Sequence, residues 1–239
     1  MKDIRDVATD IKRDLGHLLG DVTVVPSATA DTEEQLDLHT AMHRRSESIH
    51  RQVLNTVKRQ VTQIDAAIDT FLRWMTEGSI VRIVGAGRAR LAASIPANRL
   101  AHGGARVYVQ DDFVPMPHTI RGGGIIAASA SGTTRSVLEV MESARKEGRD
   151  MQIVGIAADG AAEFRKHCDI FIGIAEEPLD VKNPLRALAD SEEYVISLVL
   201  DAIVVAAGRK GGFVDTLWRL GHENLGATGP YDRKPRRQL

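Results

Sequence analysis

The chain has 239 residues, 43 % of them hydrophobic and 4 % aromatic, which suffices for one large core, or one domain and an extension. A formal net charge of −1 gives no basic footprint, and no apolar run reaches a membrane span, so neither nucleic acid nor membrane is expected as a partner. The one cysteine, Cys168, excludes an internal disulfide framework; with an N-terminus unlike a signal peptide, it points to the cytoplasm.

Residues 1–78 read as helix. Ile4, Val7, Ile11, Leu15 and Leu18 recur at three- and four-residue steps, and Gly20 ends that stretch. After a loop (DVTVVPSATA), Asp31 or Thr32 caps a second helix whose first turn holds Glu33 and Glu34. It is expected to reach Glu77, with Gly78 as its cap and a break in the polar stretch His43–Ser48. Its stripe of Ile49, Val53, Val57, Val61, Ile64, Ile68, Phe71, Leu72 and Met75 needs cover from the following domain, from a second subunit, or from both.

From residue 79 the pattern changes. Apolar runs at 79–84, 106–110, 124–128, 152–157 and 169–174 predict strands, with helices at 88–102, 134–147, 160–167 and 191–207. Strands this apolar, alternating with helices, predict a doubly wound parallel five-stranded α/β sheet covered on both faces. Ligands bind such sheets at the carboxyl ends of the strands, where the turns GAGRA (85–89) and SASGTT (129–134) both fall. Pro96, inside the first of these helices, is expected to kink or split it. Cys168, at the edge of the last strand, reads as a core residue rather than a nucleophile.

Ser129, Ser131, Gly132, Thr133 and Thr134 carry the chemistry. An apolar strand ends in hydroxyl side chains and a turn glycine, and a helix begins at once. Unpaired N–H groups and the positive end of the helix dipole suit a phosphate there, although a serine at such a place also serves simply as a cap. The glycines of VGAGRARLA do not make a dinucleotide site, because the third glycine of that fingerprint would fall on Arg90; Asp111 or Asp112 as a ribose-binding acid adds little.

GAGRA after the first strand and SASGTT after the third together resemble the sugar isomerase (SIS) domain, most closely 6-phospho-3-hexuloisomerase. The likeness continues through Arg99, Leu100, His102 and Gly104, through EYVISLVLDAIVVA with Glu193 and Asp201, and through GHENL at 221–225. Residues 46–226 would then be the phosphosugar-binding domain, with its leading long helix. Residues 1–45 would be an N-terminal helix and loop extension, and residues 227–239 a basic tail.

The resemblance implies an isomerase that interconverts 3-hexulose 6-phosphate and fructose 6-phosphate without a cofactor. Ser129, Ser131, Gly132, Thr133 and Thr134 would hold the phosphate, with Gly85, Gly87 and Arg88 beside the sugar. It also implies a homodimer or homotetramer whose site is shared between subunits. The departures are Ala89 where the family has serine, Gly221 where it has arginine, and the stretch Val114–His118 in place of its Thr-Pro.

The chemistry is moving a carbonyl by proton transfer through an enediolate, which needs a base and an oxyanion donor but no metal. Glu193 matches the family's base and Glu192 is its rival. His222 is the expected donor or shuttle, and His102 the other candidate. Arg88 either balances phosphate charge or faces solvent. Scattered histidines offer no metal spacing, and no base adjoins Ser129 or Ser131 for nucleophilic catalysis. Two alternatives remain: an isomerase of a pentose, heptose or amino-sugar phosphate, and a non-catalytic sensor of a sugar phosphate.

Overall fold

A computed structural model describes residues 38–109, 123–146, 151–175 and 191–212. The extension at 1–37, the stretch with Asp111, Asp112 and Val114–His118, and everything after Gly212, including His222, lie outside the described residues.

Two helices lead, α1 (Leu38–Arg59) and α2 (Val61–Thr76). The break between them falls at Gln60, whose φ of −112° and ψ of 22° leave the helical region. His43–Ser48, where a break was expected, stays helical: it holds no glycine or proline, and being polar on all sides does not lower helix propensity. Glu77 caps α2, and Gly78 follows with a positive φ of 60°.

The sheet elements then alternate. β1 (Ile80–Gly85) leads to α3 (Gly87–His102) and β2 (Arg106–Val109). β3 (Gly124–Ser129) leads to α4 (Arg135–Lys146), β4 (Gln152–Ala158) to α5 (Ala162–Lys166), and β5 (Ile170–Ile174) precedes α6 (Glu192–Lys210). Each differs from its expected range by no more than two or three residues at either end. Pro96 does not split α3: the helix continues through it, with the proline ring buried.

All strand pairs are parallel, in the order β2-β1-β3-β4-β5. Burial on both faces explains why the inner strands read as apolar runs; β3 is buried along its whole length, whereas the edge strand β2 is largely exposed. Alternate residues divide between two cores. Ile126, Ala128, Val154, Ile156 and Ile172 face α2, α3 and α6, packing with Phe71, Trp74, Leu100 and Val199. Ile125, Ala127, Ile153, Ala157 and Phe171 face α4 and α5, with Val137, Met141 and Phe164.

α1 is tied to the end of β5 by side chains. Gln52 Nε2 donates to the carbonyl of Ala175 at 3.0 Å, and the Ala175 N–H donates to Thr56 Oγ1 at 3.0 Å. All three residues are buried. One turn of helix thus satisfies a backbone that has no further strand beside it among the described residues. No described helix is long and apolar enough to cross a membrane.

Candidate functional site

The strand order defines where a ligand should bind. From β1 the chain moves to β2 on one side and then to β3 on the other, so a crevice opens between the carboxyl ends of β1 and β3. Gly85 and Ala128 are in register there, which sets GAGRA beside SASGTT. The two turns singled out by sequence are therefore neighbours.

The turn after β3 is built by its own hydroxyls. Ser129, 1 % exposed, accepts the Gly132 N–H on Oγ at 3.0 Å and lies 3.0 Å from Thr134 Oγ1. Ser131 and Thr133 are exposed; Ser131 Oγ accepts the Thr133 N–H at 3.2 Å and lies 2.9 Å from Thr133 Oγ1. One pair of hydroxyls holds the turn from within while the other is presented outward. α4 begins directly after Thr134, with no acidic side chain in its first turn, so its N–H groups and dipole meet no competing carboxylate. The arrangement can hold an oxyanion such as a phosphate.

On the neighbouring turn, Ala86 is extended and Gly87 opens α3 with φ of 52°. A Cβ at Gly87 would meet nothing within 4 Å, so the glycine serves conformation and leaves open space above the turn. Ala89 is buried in the core beneath α3, a place where a hydroxyl would be turned away from solvent.

Glu193 lies in the first turn of α6, its side chain 13 % exposed, with Oε1 3.4 Å from Arg88 Nε. Its other oxygen, Oε2, is buried and has no hydrogen-bond partner among the described residues. The carboxylate stands beside the GAGRA turn, which supplies Arg88. Arg88, 55 % exposed, lies beside this carboxylate. Glu192 is half-buried next to it.

His102 is not brought to this cluster. It ends α3, fifteen residues beyond Gly87, or about 22 Å along the axis at ~1.5 Å per residue. Among the described residues no group of histidine, cysteine or acidic side chains could hold a metal ion. Cys168 donates to the Phe164 carbonyl at 3.3 Å, and burial pushes its thiol up to about 12. Sequence reasoning missed Gln52 and Thr56, which fasten α1 to the same edge of the sheet; nothing in their spacing marked them.

The fold and this edge define the class. The chain has the sugar isomerase (SIS) domain fold. It superposes on the sugar isomerase domain of an RpiR transcription factor from Sphaerobacter thermophilus with a TM-score of 0.60 and 14 % identity, over 79 % of this chain and 98 % of that one. It superposes on a Methanococcus jannaschii protein, for which a function of 3-hexulose-6-phosphate isomerase was inferred, with a TM-score of 0.57 and 19 % identity. That match covers 73 % of this chain and 94 % of the other. In sequence the chain is similar to 3-hexulose-6-phosphate isomerase of Mycobacterium gastri, 33 % identical over 100 residues. This stretch is 40 % of the chain and half of that enzyme. No protein-family profile matches the chain.

Proposed function

We propose that the protein is a phosphosugar isomerase and that its substrate pair is 3-hexulose 6-phosphate and fructose 6-phosphate. The observation that carries this reading is the juxtaposition at one sheet edge of a hydroxyl-lined turn with a carboxylate whose Oε2 is buried, with no hydrogen-bond partner among the described residues. The similarity to the Mycobacterium gastri enzyme supports the choice of sugar.

Ser131, Thr133 and the first N–H groups of α4 hold the phosphate, while Ser129 and Thr134 fix the turn that presents them. Gly85, Gly87 and Arg88 line the sugar, with Arg88 also orienting Glu193. Glu193 takes the proton from C3 of fructose 6-phosphate. C2 and C3 then share an enediolate, the proton is returned to C2, and a hydroxyl proton moves from O3 to O2, leaving the carbonyl at C3. His222 serves as donor to the enediolate oxygens, and the active form is a homodimer or homotetramer.

The test is proton exchange in D2O followed by NMR. Deuterium entering C3 of fructose 6-phosphate is the expected result; no exchange on this or any other sugar phosphate, despite binding, overturns the enzyme. The second reading, a sugar-phosphate sensor, is favoured by the likeness to a transcription factor's sugar isomerase domain and by Ala89, where the enzyme family has serine. A sensor would bind without exchange.

A further inference from the structure

Two ion pairs join α3 to α6, and they differ in kind. Arg99 Nε lies 2.9 Å from Asp201 Oδ1, the separation of a full charge-assisted hydrogen bond. Arg88 Nε lies 3.4 Å from Glu193 Oε1, beyond that range. Its two partners are also unequally buried, the Arg88 side chain being 55 % exposed and that of Glu193 13 %. The first pair is a strut between the helices. The second joins an anchored carboxylate to a guanidinium that solvent reaches.

The hydroxyl-lined turn is close by. A Cβ on Gly85 would lie 3.2 Å from the carbonyl oxygen of Ala128, so the turns after β1 and β3 are set tightly together. Arg88 and Ser131 each stand three residues beyond that register pair, and the strands themselves are about 4.8 Å apart. Above Gly87 the space is open, with no atom within 4 Å of where its Cβ would be. From this turn the Arg88 side chain can pass from the carboxylate on α6 to an anion held at Ser131 and Thr133 while the backbone stays in place. A phosphate dianion favours the move: it carries more charge than a carboxylate, and its oxygens match the two-pronged guanidinium.

We propose that Arg88 changes partners, holding Glu193 while the site is empty and passing to the phosphate when a sugar phosphate binds, and that this exchange releases Glu193 to act as a base. In the empty site the guanidinium balances the charge of the carboxylate. Once Arg88 has left, a largely buried carboxylate stands without its counter-charge, which is unfavourable, and the proton from C3 of the sugar restores the balance. Binding energy from the phosphate, remote from the reacting carbons, is thereby directed to the chemical step. Sugars without a phosphate are then rejected in rate as well as in affinity. The release of a base rests on the proposed function, whereas the exchange of partners does not, because a sugar-phosphate sensor would show it equally.

Two measurements test it, and the first needs no turnover. Titration calorimetry gives the affinity for inorganic phosphate of the wild type, Glu193→Gln, Arg88→Gln and the double variant. Glu193→Gln should tighten phosphate binding about fivefold while Arg88 is present, since Arg88 then has no carboxylate to leave, and at most about twofold in the Arg88→Gln background. An arginine that stays on Glu193 screens it from the phosphate and gives the opposite order. That order, or equal effects in both backgrounds, overturns the proposal. The second measurement follows deuterium entry at C3 of D-fructose in D2O, with inorganic phosphite standing in for the missing phosphate. Phosphite should speed exchange at least about tenfold in the wild type and at most about twofold in Arg88→Gln. Exchange on fructose 6-phosphate with no phosphite activation of fructose, or with equal activation in both proteins, overturns the proposal and leaves the isomerase standing. No exchange on any sugar phosphate overturns the isomerase, and the phosphate titrations then decide the exchange of partners. Where a variant fails to fold, the wild-type comparison with and without phosphite decides alone.

Discussion

The Cβ that Gly132 lacks would lie 2.2 Å from the Cβ of Ala161, so the hydroxyl-rich turn after β3 is pressed against the residue preceding α5. Its φ of 70° adds a conformational demand to the steric one. Gly132→Ala is therefore expected to cost about 1–3 kcal/mol in urea unfolding, through backbone strain and overpacking. The turn should also shift, breaking the 3.0 Å bond from the Gly132 N–H to Ser129 Oγ. On the proposed function, fructose 6-phosphate should then bind at least tenfold more weakly by titration calorimetry. Unchanged stability would mean that the turn has slack the packing does not suggest.

Ser131 and Ser129 separate the two uses of a hydroxyl in that turn. Ser131 faces solvent and Ser129 is buried, bonded to its own turn. Ser131→Ala should weaken phosphate binding while leaving the unfolding midpoint within the error of measurement. Ser129→Ala should instead lower stability by about 1–3 kcal/mol, because a buried N–H loses its acceptor. Identical effects from both substitutions would show that the buried and exposed hydroxyls do not divide the work this way.

Glu193 carries the prediction specific to catalysis. Glu193→Gln keeps the shape of the side chain but removes the base. Deuterium exchange should fall by about 10²–10⁴-fold, the usual worth of a positioned acid or base, with sugar-phosphate affinity changed only a few-fold. A variant that exchanges at the wild-type rate would move the base elsewhere, Glu192 being the neighbour to try.

The same residues show what was legible in sequence. Apolar runs such as GIIAA identified strands buried on two faces, and the residue types at 129–134 located the turn at their carboxyl edge. The hydroxyls there carry equal weight in a sequence, and only the hydrogen bonds of the folded turn sort them into inward and outward pairs. Gln52 and Thr56 stayed invisible because their partner is the backbone of Ala175, more than a hundred residues away. Leu91, Ile95, Tyr194 and Leu198 belong to helices whose position was read correctly. Their exposure follows from which side each helix turns to the sheet, and α6 is apolar around too much of its circumference for sequence to tell.

Thr56 offers a test of how α1 is held. It is fully buried, and its Oγ1 accepts the Ala175 N–H at 3.0 Å. Thr56→Val preserves the shape and leaves that N–H without an acceptor, which should cost about 1–3 kcal/mol in urea unfolding. Gln52→Leu removes the donor to the Ala175 carbonyl and should cost a similar amount, with the double variant losing less than the sum, because both act on one peptide segment. Strict additivity would mean that the two bonds hold α1 independently.

Cys168 should be silent toward thiol reagents in the folded protein. Its thiol is pushed up to about 12, chiefly by burial, against an ordinary value of 9.0. At pH 8 the native thiolate is then about one part in ten thousand, whereas the unfolded chain exposes an ordinary thiol. Iodoacetamide labelling at pH 8 should therefore track unfolding, with negligible labelling before the urea transition. The linkage has a definite sign: a thiol whose folded value is raised keeps its proton in the native state after the unfolded chain has lost it. Stability is thus expected to be unaffected by this group below about pH 9 and to decline as pH rises from there toward 12. Cys168→Ala should flatten that decline in urea unfolding between pH 9 and 11. A decline equally steep in the variant would assign it to other groups.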